Sequence, residues 1–107
     1  MDILEKALEI IDLYDLYQAL LTEKQKEYFE SYYFDNYSIT EISENKGVSR
    51  NAVHDHLKKT ISKLNDYEIK LKLKELKKKR IDILNKLLEV SKDDEITLLL
   101  TELKKVE

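Results

Sequence analysis

The chain has 107 residues with no cysteine, no proline and a single glycine. That excludes a disulfide framework, a thiolate metal site and the turn chemistry of a β-rich fold. Its formal net charge is −3, far from the basic balance of a typical DNA-binding domain. No apolar run approaches a membrane span, and the acidic start MDILEKALEI does not read as a signal peptide, so a cytoplasmic protein without membrane contact is expected.

Leu, Lys, Glu and Ile dominate, which predicts an all-α fold. Residues 3–21 predict a first helix, with Ile3, Leu4, Ala7, Leu8, Ile11, Tyr14, Leu16 and Leu20 near helical spacing. Thr22 with Gln25 three residues on has capping-box form and opens a second helix over 23–35, closed by Asp35-Asn36. This helix carries Tyr28, Phe29, Tyr32, Tyr33 and Phe34. Phe29, Tyr32 and Tyr33 are expected in the core, with Tyr28 and Tyr37 at its edge holding their hydroxyls outward. The alternative is an aromatic platform on which single-stranded bases stack.

Residues 38–64, SITEISENKGVSRNAVHDHLKKTISKL, form the most informative segment. Ser38 with Glu41 is a second capping box, and Ile39 and Ile42 give a short third helix one apolar face. Gly47 ends that helix where the backbone needs positive φ. Ser49 caps a fourth helix on which Val53, Leu57, Ile61 and Leu64 repeat at four-and-three spacing. A short helix, a turn with one glycine and a longer capped helix make a helix-turn-helix unit. At one turn per 3.6 residues, Arg50, Asn51, His54, Asp55 and Lys58 fall in a wholly polar arc of roughly 140° beside the apolar one. These types read base edges and phosphates: Arg takes guanine, Asn takes adenine and Lys takes phosphate. A solvated helix face is the plainer reading.

Charge is unevenly spread. Residues 1–37 carry a net −6 and residues 38–64 a net +2, while KLKLKELKKKR at 70–80 alone carries +6. Screening limits charge reach to about 8 Å at physiological salt, so such local patches govern contact. Lys70, Lys74 and Lys77 share one helix face that suits a phosphate track. The acidic first helix is an equal candidate for their partner.

Nothing strongly breaks the pattern from Arg50 to Ser91, yet a forty-residue helix would run about 60 Å. Breaks near 66–70 or 78–82 are therefore expected. Positions 73, 76, 80, 83, 87 and 90 alternate three and four apart, a short heptad seam with Arg80 out of place. The division is thus a helix-turn-helix domain over 1–68 and a helical extension over 69–107 that pairs two chains. Asp93 or Asp94 caps a last helix through Lys105.

An enzyme is not expected. His54 and His56 are about 200° apart around a helix and cannot share a metal, and no phosphate-cradling glycine loop is present. Neither a metal nor a cofactor is called for.

The four-helix order, with LLTEKQKEY ahead of SITEIS and GVSRNAV, resembles region 4 of bacterial sigma factors, a helix-turn-helix of winged-helix-like type without a wing. More closely, the span from Leu13 to Leu88 resembles the YlxM family of small bacterial proteins. The matching pieces are Leu20-Leu21-Thr22, Lys24-Gln25, Tyr32-Tyr33, Ser38, Glu41-Ile42, Val48-Ser49-Arg50, Ala52-Val53, Asp55, and Tyr67-Glu68 with Lys70-Leu71. Ser43, Asn51 and His56 stand where members often have Ala, Gln and Asn. The resemblance implies a DNA-binding regulatory protein whose gene lies beside those of the signal recognition particle and which takes part in that pathway. The rival implication is a particle-associated adaptor that binds the targeting RNA, a structured RNA, or its GTPase. On either reading the expected nucleic-acid contacts are Ser49, Arg50, Asn51, His54, Asp55, Lys58, Lys59, Lys70, Lys74 and Lys77, in a homodimer. A dimeric adaptor that docks protein through its acidic helix is the third option.

Overall fold

The structure is a computed structural model that describes residues 2–107. It is all-helical, as the composition predicts. The helices are α1 (Ile3–Tyr17), α2 (Glu23–Tyr33), α3 (Ile39–Lys46), α4 (Arg50–Leu71), α5 (Leu73–Val90) and α6 (Asp94–Lys105). A first compact unit ends at Leu71 and a second spans Lys72–Glu107.

Local side-chain chemistry starts each helix of the first unit. The Asp2 carboxylate accepts the Glu5 amide at 2.7 Å. Thr22 and Gln25 form a reciprocal capping box on α2, and Ser38 and Glu41 do the same on α3. Each box satisfies two amides that a helix start leaves without a partner. Gly47 ends α3 in the left-handed region at φ 66°, and both its own amide and that of Val48 return to the Ser43 carbonyl. Two residues on, the Ser49 hydroxyl accepts the Ala52 amide at 3.0 Å and α4 begins.

Packing in this unit converges on one side of α4, which touches α1, α2 and α3. Toward its N-terminal end, Val53 and Leu57 join Tyr28 and Ile42 in one core cluster, with Ile39 at its margin. Further along, Leu64 joins Leu13, Tyr14, Tyr17, Leu21 and Phe29 in a second. The rings of Tyr14 and Phe29 stack at 4.2 Å between centroids, and Phe29 meets Tyr33 at 4.5 Å. The buried hydroxyls of Ser43 and Thr60 are satisfied by their own helices, whereas the buried Tyr14 hydroxyl has no hydrogen-bond partner among the described residues. Ser43 donates to the Thr40 carbonyl at 2.8 Å and Thr60 to that of His56 at 3.0 Å. The small Ser43 lets α3 come close to its neighbours without a burial penalty.

Several boundaries differ from the sequence reading. α1 stops at Tyr17 rather than residue 21, because Gln18–Leu20 tighten into a 3₁₀ turn closed by Leu21 N–H to the Gln18 carbonyl. α2 stops at Tyr33 rather than 35, where the amides of Phe34 and Asp35 share the Glu30 carbonyl and Asn36 turns left-handed at φ 59°. The long helix breaks at Lys72, at φ 55°, and not within 66–70 or 78–82. Residues 66–70 stay helical because Tyr67 and Glu68 are tied back to the first helix and its following turn. The Tyr67 hydroxyl donates to the Leu20 carbonyl at 3.3 Å, and the Tyr17 hydroxyl donates to the Glu68 carboxylate at 2.6 Å. Residues 78–82 stay helical within the α5–α6 pair, with Ile81 half-buried and Leu84 buried.

Two aromatic assignments also change places. Tyr28 is buried at 4% exposure, against Ile42 and Val53, whereas Tyr32 is 37% exposed. Tyr32 lies one turn further along α2, where its ring meets Tyr33 edge-on at 5.0 Å and faces an open notch instead of the core.

Because nothing stands within 4 Å of a Cβ built on Gly47, Gly47→Ala should cost only the left-handed backbone, about 1–2 kcal/mol. Gly47→Asn should cost less, since Asn tolerates that region. Urea denaturation of the two variants beside the parent measures both.

Candidate nucleic-acid interface

Ser49 fixes where α4 starts, and with it the rotation at which every later side chain emerges. Val53, Leu57, Thr60 and Leu64 are buried, and they lock that rotation. Arg50, Asn51, His54, Asp55, Lys58 and Lys59 are consequently turned outward and exposed. Among the described residues, Arg50, Lys58 and Lys59 have no carboxylate within ion-pair distance. The first turn of α4 contains no acidic residue, so the positive end of the helix dipole meets no opposing charge there. One anionic side chain, Asp55, interrupts an otherwise neutral or cationic face.

The lysines of the second track lie on two helices rather than one. Lys70 sits in the last turn of α4, whereas Lys74 and Lys77 belong to α5, beyond the left-handed residue 72. Lys74 and Lys77 are half-buried within the second unit.

The two histidines have separate environments. His54 is exposed on the outer arc, while the His56 ring packs on Tyr28 with 4.3 Å between centroids. Its Nδ1 is buried and has no hydrogen-bond partner among the described residues. Burial, followed by the Lys24 and Lys59 charges, lowers the His56 pKa from 6.5. Lys46 adds a cation 5.8 Å from the Tyr28 ring and an ion pair to Glu27 at 3.0 Å, fastening the end of α3 to α2.

Sequence reasoning missed the apolar openings beside the polar arc. A notch of about 230 Å³ is lined by Tyr32, Tyr33, His54, Leu57 and Lys58, among others. A larger groove of about 840 Å³ continues from the same tyrosines to Ile3, Leu4 and Leu8 on α1. The available signal was in α1, whose early apolar residues occupy more of the helix circumference than one buried face needs.

The His56 shift sets a pH dependence. A depressed folded-state pKa means the unfolded chain binds the proton first. The stability from this group is complete above about pH 6.5 and is lost as the pH falls from there through the lower folded-state value. His56→Gln should flatten the stability curve in that window, read by thermal unfolding at a series of pH values.

The residues 4–104 match the family model described as "Putative helix-turn-helix protein, YlxM / p13 like". "UPF0122 protein YlxM" of Bacillus subtilis is 43% identical over 108 residues, covering 97% of this chain and 98% of the relative. A "UPF0122 protein" of Anoxybacillus flavithermus is 43% identical over 109 residues, with 97% and 99% covered. Another, from Limosilactobacillus reuteri, reaches 54% over 70 residues, with 65% and 62% covered. A helix-turn-helix of α3 and α4, opened by the Ser38–Glu41 capping box, and a match that spans nearly the whole sequence place this chain in the YlxM/p13-like family of helix-turn-helix proteins.

Proposed function

We propose that the protein is a nucleic-acid-binding regulator, not an enzyme, that inserts the N-terminal half of α4 into the major groove of DNA. The observation that carries this reading is the exposed arc of Arg50, Asn51, His54 and Lys58, held outward by the adjoining buried row of Val53, Leu57, Thr60 and Leu64. In that pose Arg50 pairs bidentately with guanine and Asn51 with adenine, while Lys58 and Lys59 meet phosphate. The capped amides at Ser49 and the helix dipole face a further phosphate. Asp55 disfavours phosphate and accepts from a cytosine amino group. The family resemblance extends the proposal to a cytoplasmic regulator in the signal recognition particle pathway.

A second reading has its own observation. The densest positive charge, net +6 over residues 70–80, lies past the reading arc. A particle-associated adaptor would use Lys70, Lys74 and Lys77 to hold structured RNA by shape and phosphate, or would meet the GTPase.

Salt titrations on a random DNA duplex and on the particle's RNA, run in parallel, separate the two. DNA regulation requires duplex binding at least as tight as RNA binding. On a selected duplex, Arg50→Ala should then weaken affinity by about 1–3 kcal/mol, and replacing Lys58 should reduce the salt slope by about 1. Far tighter RNA binding, abolished by replacing Lys70, Lys74 and Lys77 but indifferent to Arg50→Ala, would establish the adaptor instead.

A further inference from the structure

The second unit buries too little to stand alone. Leu84 is its single fully buried apolar side chain among the described residues, and a 36-residue segment, Lys72–Glu107, lies below the size at which a core usually suffices. Its two helices nevertheless have a defined arrangement. Asp93 caps α6 through the amides of Glu95 and Ile96, and the short 91–93 connection makes α5 and α6 an antiparallel hairpin. Far from that connection, Arg80 Nε donates to the Glu107 carboxylate at 2.7 Å.

α5 has three faces rather than two. Ile81, Leu84 and Leu88 turn toward α6 and are buried or half-buried. Lys78, Lys79, Asp82 and Lys86 form a polar face. The third face holds Leu76, Ile83, Leu87 and Val90, which remain 43–71% exposed and follow the three-and-four spacing of a heptad seam. α6 repeats the arrangement. Its inner face holds the half-buried Leu100, while Ile96, Leu99, Leu103 and Val106 form a stripe that is 49–79% exposed. Because the helices run antiparallel, the same rotation from each inner face brings both stripes onto one broad side of the hairpin.

We propose that this side is the dimer interface, covered by the same side of a second copy to form a four-helix bundle about a two-fold axis. Three features select a second copy as the occupant. The eight large apolar side chains, each 43–79% exposed, lie together on one side, and a standard stable interface takes roughly 800 Å² from each partner. Seam spacing on both helices makes the surface self-complementary, as an isologous contact requires. The one cation in the seam, Arg80, would repel its own copy across the axis. The Glu107 carboxylate, only 13% exposed, neutralises it from within the same chain. The proposal is independent of which nucleic acid the first unit binds.

Sedimentation equilibrium of the full chain tests it. The parent should weigh twice 12.8 kDa. Ile83→Lys with Leu87→Lys should shift it to monomer, with dimer affinity down at least tenfold and helical circular dichroism retained, since both positions are exposed within the chain. Leu103→Lys on α6 should do the same by an independent route, and Glu107→Gln should weaken the dimer by freeing Arg80. Lys79→Gln, on the polar face, should leave the mass unchanged. A parent that stays monomeric at all concentrations overturns the proposal. A dimer that survives both lysine variants overturns it equally.

Discussion

Burial of one face of α4 is the constraint on which the first unit depends. Val53 and Leu57 belong to one core cluster and Leu64 to the other, so both clusters are built on the same 22-residue helix. Neither cluster closes without it. Filling these positions with apolar side chains fixes the rotation of α4 about its own axis, and a fixed rotation turns a set of polar residues into a surface with a definite order. Thr60 shows how tightly that face is drawn. It sits at 1% exposure in the buried row and satisfies its hydroxyl on its own helix, so that no polar demand reaches the neighbouring core.

Electrostatics supports such a surface despite the acidic whole. The excess of carboxylates lies in residues 1–37, on the helices that supply packing rather than on the outward arc of α4. Glu27 is occupied by Lys46, and Glu68 accepts the Tyr17 hydroxyl. In the core, burial and the neighbouring Glu30 carboxylate push Tyr14 up to about 12, and its ring stacks on Phe29. Net charge thus describes the chain's average, whereas contact is decided within a Debye length.

Legibility in the sequence followed the range of the interaction concerned. The starts of α2, α3 and α4 are set by side chains bonding amides three residues away, so Thr22, Ser38 and Ser49 could be read directly. Gly47 was equally legible because its φ of 66° excludes most other residues at low cost. The joint at Lys72 was not. Neither a glycine nor a proline marks it, and a lysine in the left-handed region carries strain that only the surrounding structure holds. The continued helix through 66–71 was hidden for the complementary reason: Glu68 finds its partner in Tyr17, 51 residues earlier. Tyr28 and Tyr32 lie within a turn of each other, and their exchange of roles reflects where α3 crosses α2, which periodicity alone does not specify.

That Tyr17–Glu68 hydrogen bond places the aim of α4 under remote control. Where the helix begins is decided by Ser49, but its far end is held against α1, a segment with no part in the polar arc. A lesion in α1 would therefore swing the barrel without damaging the muzzle: every outward side chain would stay intact and correctly spaced, yet pointed elsewhere. Loss of recognition in such a variant would be an error of direction rather than of chemistry.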